Sequence, residues 1–194
     1  MKKTTISFVL LLSLILCACT NSSNQAGYSA SVSETPDFPT FEASAELWAN
    51  AIGESLNAGG IYNAFSSEPN ILESESEVFG NIRCLSYSIC DNADVMLYEN
   101  RDNQQCYQFS MSIDWGKVDP ASDEALLIGY YTGLLILAAE QDRITASEIT
   151  EDLGLANTYD VNVYDDTIQT TESEHASYSY VTKDCISTFN VLAK

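Results

Sequence analysis

Positive charge is scarce in this sequence. Lys and Arg together number 8 in 194 residues, against 28 Asp and Glu, which gives a formal net charge of −20 at pH 7. Binding to nucleic acid phosphates needs a cationic surface, so the composition excludes nucleic acid as a natural partner. A surface of this sign favours cations, basic peptides or basic proteins instead.

Histidine is also scarce. His175 is the only one in the chain, and none of the 6 cysteines stands in a CxxC pair. Structural zinc sites take four Cys or His ligands, so a zinc site is not expected. No nucleophile motif accompanies His175, which lies beside Glu172 and Glu174 in a predicted loop, and we interpret it as a surface side chain rather than a general base.

The sequence lacks an apolar run of the length that a membrane-spanning helix needs, which is about 20 residues. Its first run extends only from Ile6 to Leu16, interrupted by Ser7 and Ser13, and it follows the basic Lys2 and Lys3. A basic flank, a short apolar core and a small residue at the cleavage point are typical of an export signal.

The end of that signal reads Leu16-Cys17-Ala18-Cys19. This order resembles the signal of the bacterial lipoprotein family, in which a leucine and a small residue precede the lipidated cysteine. The resemblance implies cleavage before Cys19, a diacylglyceryl group on its sulfur, and attachment to the outer face of a bacterial membrane. Cys17 is the competing position, but it would place the bulky Leu16 where a small residue is needed. An ordinary secretory signal is the alternative.

The sequence therefore predicts three regions: a signal peptide over 1–18, a lipidated cysteine with a flexible tether over 19–39, and a single acidic domain over 40–194. The tether is rich in Ser, Asn and Thr and is too polar to form a core. As a coil its ends would lie about 25 Å apart. Cleavage would remove Lys2 and Lys3, leaving 6 basic against 28 acidic residues, a formal charge of −22.

Four further cysteines follow the anchor: Cys84, Cys90, Cys106 and Cys185. An even number in an exported chain predicts two disulfides. If residues 82–90 form a strand, Cys84 and Cys90 are about 20 Å apart and cannot bond to each other. The pairs are then Cys84 with Cys106 and Cys90 with Cys185, or the crossed arrangement; free thiols are the alternative.

The domain is predicted to be α+β, with an antiparallel sheet of about five strands and helices on one face, in the order α-βββ-αα-ββ. Alternating apolar residues predict strands over 82–90, 94–98 and 106–113, and two final strands near 157–168 and 176–191. A first helix should begin after Thr40 and end at Gly59, a second should begin at Asp119, and a third should be capped by Thr145.

Three groups of side chains could carry chemistry. Oxygen-rich clusters suggest weak calcium binding, although turn formation explains them equally well and none has the EF-hand order; they are Asp91, Asn92 and Asp94, then Glu99, Asn100, Asp102 and Asn103, and finally Asp160, Asn162, Asp165 and Asp166. Tyr178 and Tyr180 could form an aromatic contact surface, with core packing as the commoner reason for such residues. Numerous carboxylates allow an extracytoplasmic hydrolase, but no pair can be selected.

We therefore predict that the chain is a membrane-anchored, non-enzymatic interaction module for a basic protein or peptide, with no cofactor. The hydrolase acting through carboxylates is the alternative.

Overall fold

The computed structural model describes residues 38–155 and 165–194. Three helices, α1 to α3, and seven strands, β1 to β7, make up this part of the chain, with a short 3₁₀ helix at Ala64–Ser66. In chain order they are α1 Ala45–Ala58, β1 Asn70–Ser76, β2 Gly80–Cys90, β3 Ala93–Asn100, β4 Gln105–Asp114, α2 Asp123–Glu140, α3 Arg143–Asp152, β5 Thr167–Glu172, β6 Ala176–Lys183 and β7 Ile186–Ala193.

The strands form one antiparallel sheet in the order β1-β2-β3-β4-β7-β6-β5. Two meanders, β1 to β4 and β5 to β7, meet where β4 pairs with β7. The predicted α+β class is confirmed. The predicted strand number and order are wrong, because the observed order is α-ββββ-αα-βββ with seven strands.

One face of the sheet carries the core. Strand register places Leu85, Leu97, Phe109, Val191 and Tyr178 side by side across five strands, and all five are buried. Helix α2 packs against this face and is buried on most sides, from Ala125 to Glu140. A helix that is apolar nearly all the way round, as this one is, has no face to present to water and is buried on several sides. We call the opposite side of the sheet the open face, since none of the described helices covers it.

The helices begin later or earlier than predicted, because other side chains cap them. Ser44 rather than Thr40 accepts the hydrogen bond from Leu47 N at the start of α1. Ser122 rather than Asp119 caps α2. Asp142 rather than Thr145 caps α3, and its carboxylate accepts bonds from both the amide and the hydroxyl of Thr145. These bonds keep the pKa of Asp142 below its ordinary value.

The last predicted strand, 176–191, is in fact the β6–β7 hairpin. Its turn is formed by Asp184 and Cys185, both with positive φ, the backbone of a type I′ turn. The predicted strand at 157–168 falls mostly on residues outside the described part of the chain, and only Thr167 and Ile168 belong to β5.

Among the described residues, no helix has the length and apolarity required to cross a membrane.

Candidate binding surfaces

Strand β1 forms one edge of the sheet and pairs, within the described chain, with β2 alone. Six of its seven residues are exposed. An edge strand presents a row of backbone N–H and C=O groups to which another extended chain can add. The strand is therefore a ready-made template for a partner.

Side chains on this edge alternate between acids and apolar or neutral residues. Ile71, Glu73 and Glu75 point to the helix-covered side, opposite Leu85, Arg83 and Asn81 of β2. Leu72 and Val78 are 56% and 69% exposed, and Ile71 is 47% exposed. We call β1, with Glu77 and Val78 of the following turn, the acidic edge.

Arginine already contacts this edge. The Arg101 guanidinium lies 3.0 Å from Glu73 Oε2, and both side chains are about half exposed. A guanidinium from the chain's own turn thus occupies part of a surface that would suit arginine or lysine from a partner.

The open face is chemically different, and two of its rows cross strands β4, β7, β6 and β5. The first row is Gln108, Leu192, Ser177 and Glu172, and the second is Ser110, Asn190, Ser179 and Thr170. A shallow depression of about 500 Å³ lies over these rows. We call it the polar groove.

Asn190 stands at the centre of the polar groove and fixes its neighbours. Its Oδ1 accepts hydrogen bonds from Ser110 Oγ at 2.8 Å and from Gln108 Nε2 at 3.2 Å. Its Nδ2 donates to Ser179 Oγ at 3.2 Å. Three strands are thereby tied together by neutral side chains that keep further donor and acceptor capacity.

The groove carries one charged residue in these rows, Glu172, at its outer end. Lys194 Nζ lies 2.7 Å from Glu172 Oε2. The ion pair leaves the groove close to neutral in a chain of net charge −20.

A buried carboxylate, Glu99, stands behind the acidic edge. It is 2% exposed, and its Oε1 accepts from Arg83 Nη1 at 3.0 Å while its Oε2 accepts from Ala45 N at 2.9 Å. Arg83 also contacts Glu46 at 2.9 Å. Burial lowers the pKa of Arg83, but the bonds to Glu46 and Glu99 outweigh this and raise it. The carboxylate therefore meets a cation and a helix N-terminus together.

A second buried carboxylate, Glu140, stands behind the polar groove. It is 4% exposed and belongs to the last turn of α2. Its Oε1 accepts from the Tyr178 hydroxyl and, at 2.6 Å, from Ser173 Oγ, whereas Oε2 has no hydrogen-bond partner among the described residues. Burial, followed by the bond to Glu140, raises the pKa of Tyr178. Ser173 in turn accepts from His175 N and Ala176 N, so Glu140 holds the β5–β6 turn.

The predicted disulfides are absent, and all four described cysteines are free thiols. Strand β3 separates Cys84 on β2 from Cys106 on β4, which places their Cα atoms about 10 Å apart, beyond the reach of a disulfide. Both β3 and β4 separate Cys90 from Cys185, and the crossed pairs are no closer. Burial raises the pKa of Cys84 and Cys106, and raises that of Cys90 to about 11, so these thiols are protonated and unreactive at neutral pH.

The predicted calcium clusters are largely occupied by other contacts. Glu99 is bound by Arg83, and Asn100 Oδ1 accepts from the amides of Asp102 and Asn103, as a turn requires. Asn92 donates to Glu124. Asp160 and Asn162 lie outside the described residues, as does Cys19. In the described part of the chain, no three His, Cys, Asp or Glu side chains converge to hold a metal ion.

Tyr178 and Tyr180 are core residues, the commoner of the two interpretations, and do not form an exposed aromatic surface. Tyr178 and Tyr180 lie on the helix-covered face and are buried, because β6 turns its odd-numbered positions toward the open face and its even-numbered positions toward the core. The Tyr180 hydroxyl accepts from Trp115 Nε1 at 3.1 Å. His175, by contrast, is exposed in the β5–β6 turn, as expected.

Sequence reasoning missed both surfaces. No strand was predicted for the acidic edge, and Asn190 and Gln108 were not singled out. The alternation of Ser177 and Ser179 with buried residues was the available signal for the groove. Comparison of the chain with protein families, with curated proteins and with solved structures finds no match.

Proposed function

We propose that this chain is a lipid-anchored binding module on the outer face of a bacterial membrane, and that it captures an extended, basic segment of a protein or peptide on its acidic edge. The single observation that carries the binding mode is the exposure of β1, an edge strand with glutamates at alternate positions.

Charge supports a basic partner. Four of the six basic residues within 38–194 already lie in ion pairs with carboxylates, namely Arg83, Arg101, Lys117 and Lys194. The surrounding acids therefore dominate the surface field, which accelerates the encounter with a cationic segment.

The form of the edge supports an extended segment. Backbone groups of β1 can pair with a strand, Glu73 and Glu75 can meet lysine or arginine at every second position, and Leu72 can contact apolar residues on the alternate positions. The same glutamates disfavour pairing with β1 of a second copy, because like charges would then face each other.

The proposed anchor supports the same function. A lipid at Cys19 would hold a strongly acidic domain beside a membrane whose anionic headgroups repel it. The tether would then let the acidic edge reach partners outside the membrane.

The binding mode is tested with a synthetic peptide of alternating lysine and valine, followed by fluorescence anisotropy with the purified full-length chain. The double variant Glu73→Gln/Glu75→Gln should bind about 10-fold more weakly, since two charge contacts are lost. Glu148→Gln/Glu151→Gln, which changes the charge equally on α3, should bind like the parent chain.

A second peptide, N-methylated at every backbone nitrogen, should not bind, because neither of its edges can donate hydrogen bonds to β1. Equal loss of binding in both double variants, or undiminished binding of the methylated peptide, would show non-specific attraction and refute the proposed mode.

A further inference from the structure

We propose that the polar groove binds a neutral oligosaccharide, independently of the acidic edge. The groove differs from the rest of the surface in its charge, its hydrogen-bonding groups and its dimensions, and each of these points to the same class of ligand.

The charge of the groove excludes ionic ligands. Apart from Glu172, which is paired with Lys194, its two rows contain only serine, threonine, asparagine, glutamine and leucine. An anion would find only Lys194, which is already paired with Glu172, and would be repelled by the net charge of the chain. A cation would find one carboxylate that is already occupied.

The hydrogen-bonding groups suit a polyhydroxylated ligand. Sugar hydroxyls both donate and accept, and so do the hydroxyls of Ser177, Ser179 and Thr170 and the amide of Gln108. The bonds around Asn190 hold Gln108 and Ser179 in place before any ligand arrives. Ordering of these side chains in advance reduces the entropy cost of binding. Leu192, at the centre of the first row, offers an apolar contact for the face of a sugar ring.

The dimensions suit a short chain rather than one ring. Four strands at about 4.8 Å spacing make the groove about 14 Å wide, and its volume of about 500 Å³ falls within the range of small-ligand sites. The groove is open on the solvent side, so a longer saccharide chain could lie along it and extend beyond both ends.

Isothermal titration calorimetry on the full-length chain tests this with chitotriose and maltotriose as neutral probes. At least one should bind, with an affinity in the millimolar range or better, and its monosaccharide should bind about 10-fold more weakly. The deacetylated, cationic form of chitotriose should not bind in the groove.

Matched double variants locate the site. Thr170→Ala/Ser177→Ala removes two groove hydroxyls and should weaken binding about 10-fold. Ser86→Ala/Ser88→Ala removes two hydroxyls from β2 on the same open face and should leave the affinity unchanged. Urea unfolding of each variant checks that the fold is intact.

Three results would overturn the proposal: no heat from either neutral trisaccharide at about 10 mM, binding of the cationic trimer that is weakened by Thr170→Ala/Ser177→Ala, or an unchanged affinity of the neutral trisaccharide in Thr170→Ala/Ser177→Ala. The lysine–valine peptide is assayed separately. A negative result with the trisaccharides therefore does not affect the proposal for the acidic edge, and a negative result with the peptide does not affect the proposal for the polar groove.

Discussion

Glu99 and Glu140 are both almost fully buried, yet their surroundings differ. Glu99 meets an arginine and the N-terminus of α1, where a negative charge is stabilised by the helix dipole. Glu140 lies in the last turn of α2, where the dipole is unfavourable. One of its oxygens receives two hydroxyl donors, and the other receives none from the part of the chain that the structure describes. The first stands behind the acidic edge and the second behind the polar groove.

Each surface is therefore supported by a different kind of network. An ion network linking α1, β2 and β3 holds the strands next to the acidic edge. A neutral-donor network linking α2, the β5–β6 turn and β6 holds the strands under the groove. Disruption of the ion network should lower the stability more, because it leaves a buried charge without its partner.

The largest effect is expected for Arg83→Met, which leaves the buried Glu99 carboxylate without its cation. The free energy of unfolding should fall by about 3–5 kcal/mol, measured by urea denaturation. Arg101→Met is the matched control, since its exposed pair with Glu73 is worth less than about 1 kcal/mol. Similar losses in both variants would contradict the distinction between the buried and the exposed pair.

Tyr178→Phe removes one of the two donors to Glu140 and should cost about 1–3 kcal/mol at neutral pH. Burial, and then the bond to Glu140, raise the pKa of Tyr178 in the folded chain, whereas an unfolded tyrosine ionises near pH 10. The stabilisation is therefore complete below about pH 10 and is lost as the pH rises above it, by up to about 1.4 kcal/mol per pH unit.

Urea denaturation of the parent chain and of Tyr178→Phe between pH 7 and pH 11 measures this. The difference in their free energies of unfolding should stay constant up to about pH 10 and shrink above it. A difference that does not change with pH would show that the Tyr178 hydroxyl is not held protonated.

The smallest effect is expected for Glu140→Gln, at less than about 1 kcal/mol. The amide oxygen can still accept from Tyr178 and Ser173, and removal of a negative charge from a helix C-terminus gains a few tenths of a kcal/mol. Glu99→Gln should cost more than about 1.5 kcal/mol, because it weakens charged hydrogen bonds. The two substitutions are compared by thermal and urea unfolding, and the reverse order would contradict the comparison.

Central strands and helices were predictable from the sequence, because burial of one face makes apolar residues recur at the period of the strand or helix. Leu85, Tyr87 and Ile89 alternate with Cys84, Ser86 and Ser88 in β2, and the pattern follows from the pleat. The edge strands β1 and β5 have no buried residues on either face, so the sequence carries no such period there. Strand β1 was missed, and the predicted strand near 157–168 includes only the first two residues of β5.

The β6–β7 turn was missed for a different reason. A type I′ turn is normally signalled by Asn-Gly or Asp-Gly, but here Asp184 and Cys185 take up the two positive-φ positions. The second meander was therefore predicted one strand short, because β6 and β7 were merged, and the first was one strand short because β1 was not predicted. The candidate surfaces depend on which strands become neighbours, and the pairing of β4 with β7 has no local signal in the sequence.

The pairing of β4 with β7 also affects the order in which parts of the sheet fold. Gln108 and Asn190, bonded across it, are 82 residues apart, so it closes the longest loop in the sheet and gains its contacts late. Until β7 is made, β4 has an unpaired side beside Phe109 and Met111, both of which are fully buried in the finished domain. A chain interrupted before β7 would consequently expose an apolar strand edge, and would be prone to aggregate or to be recognised by chaperones.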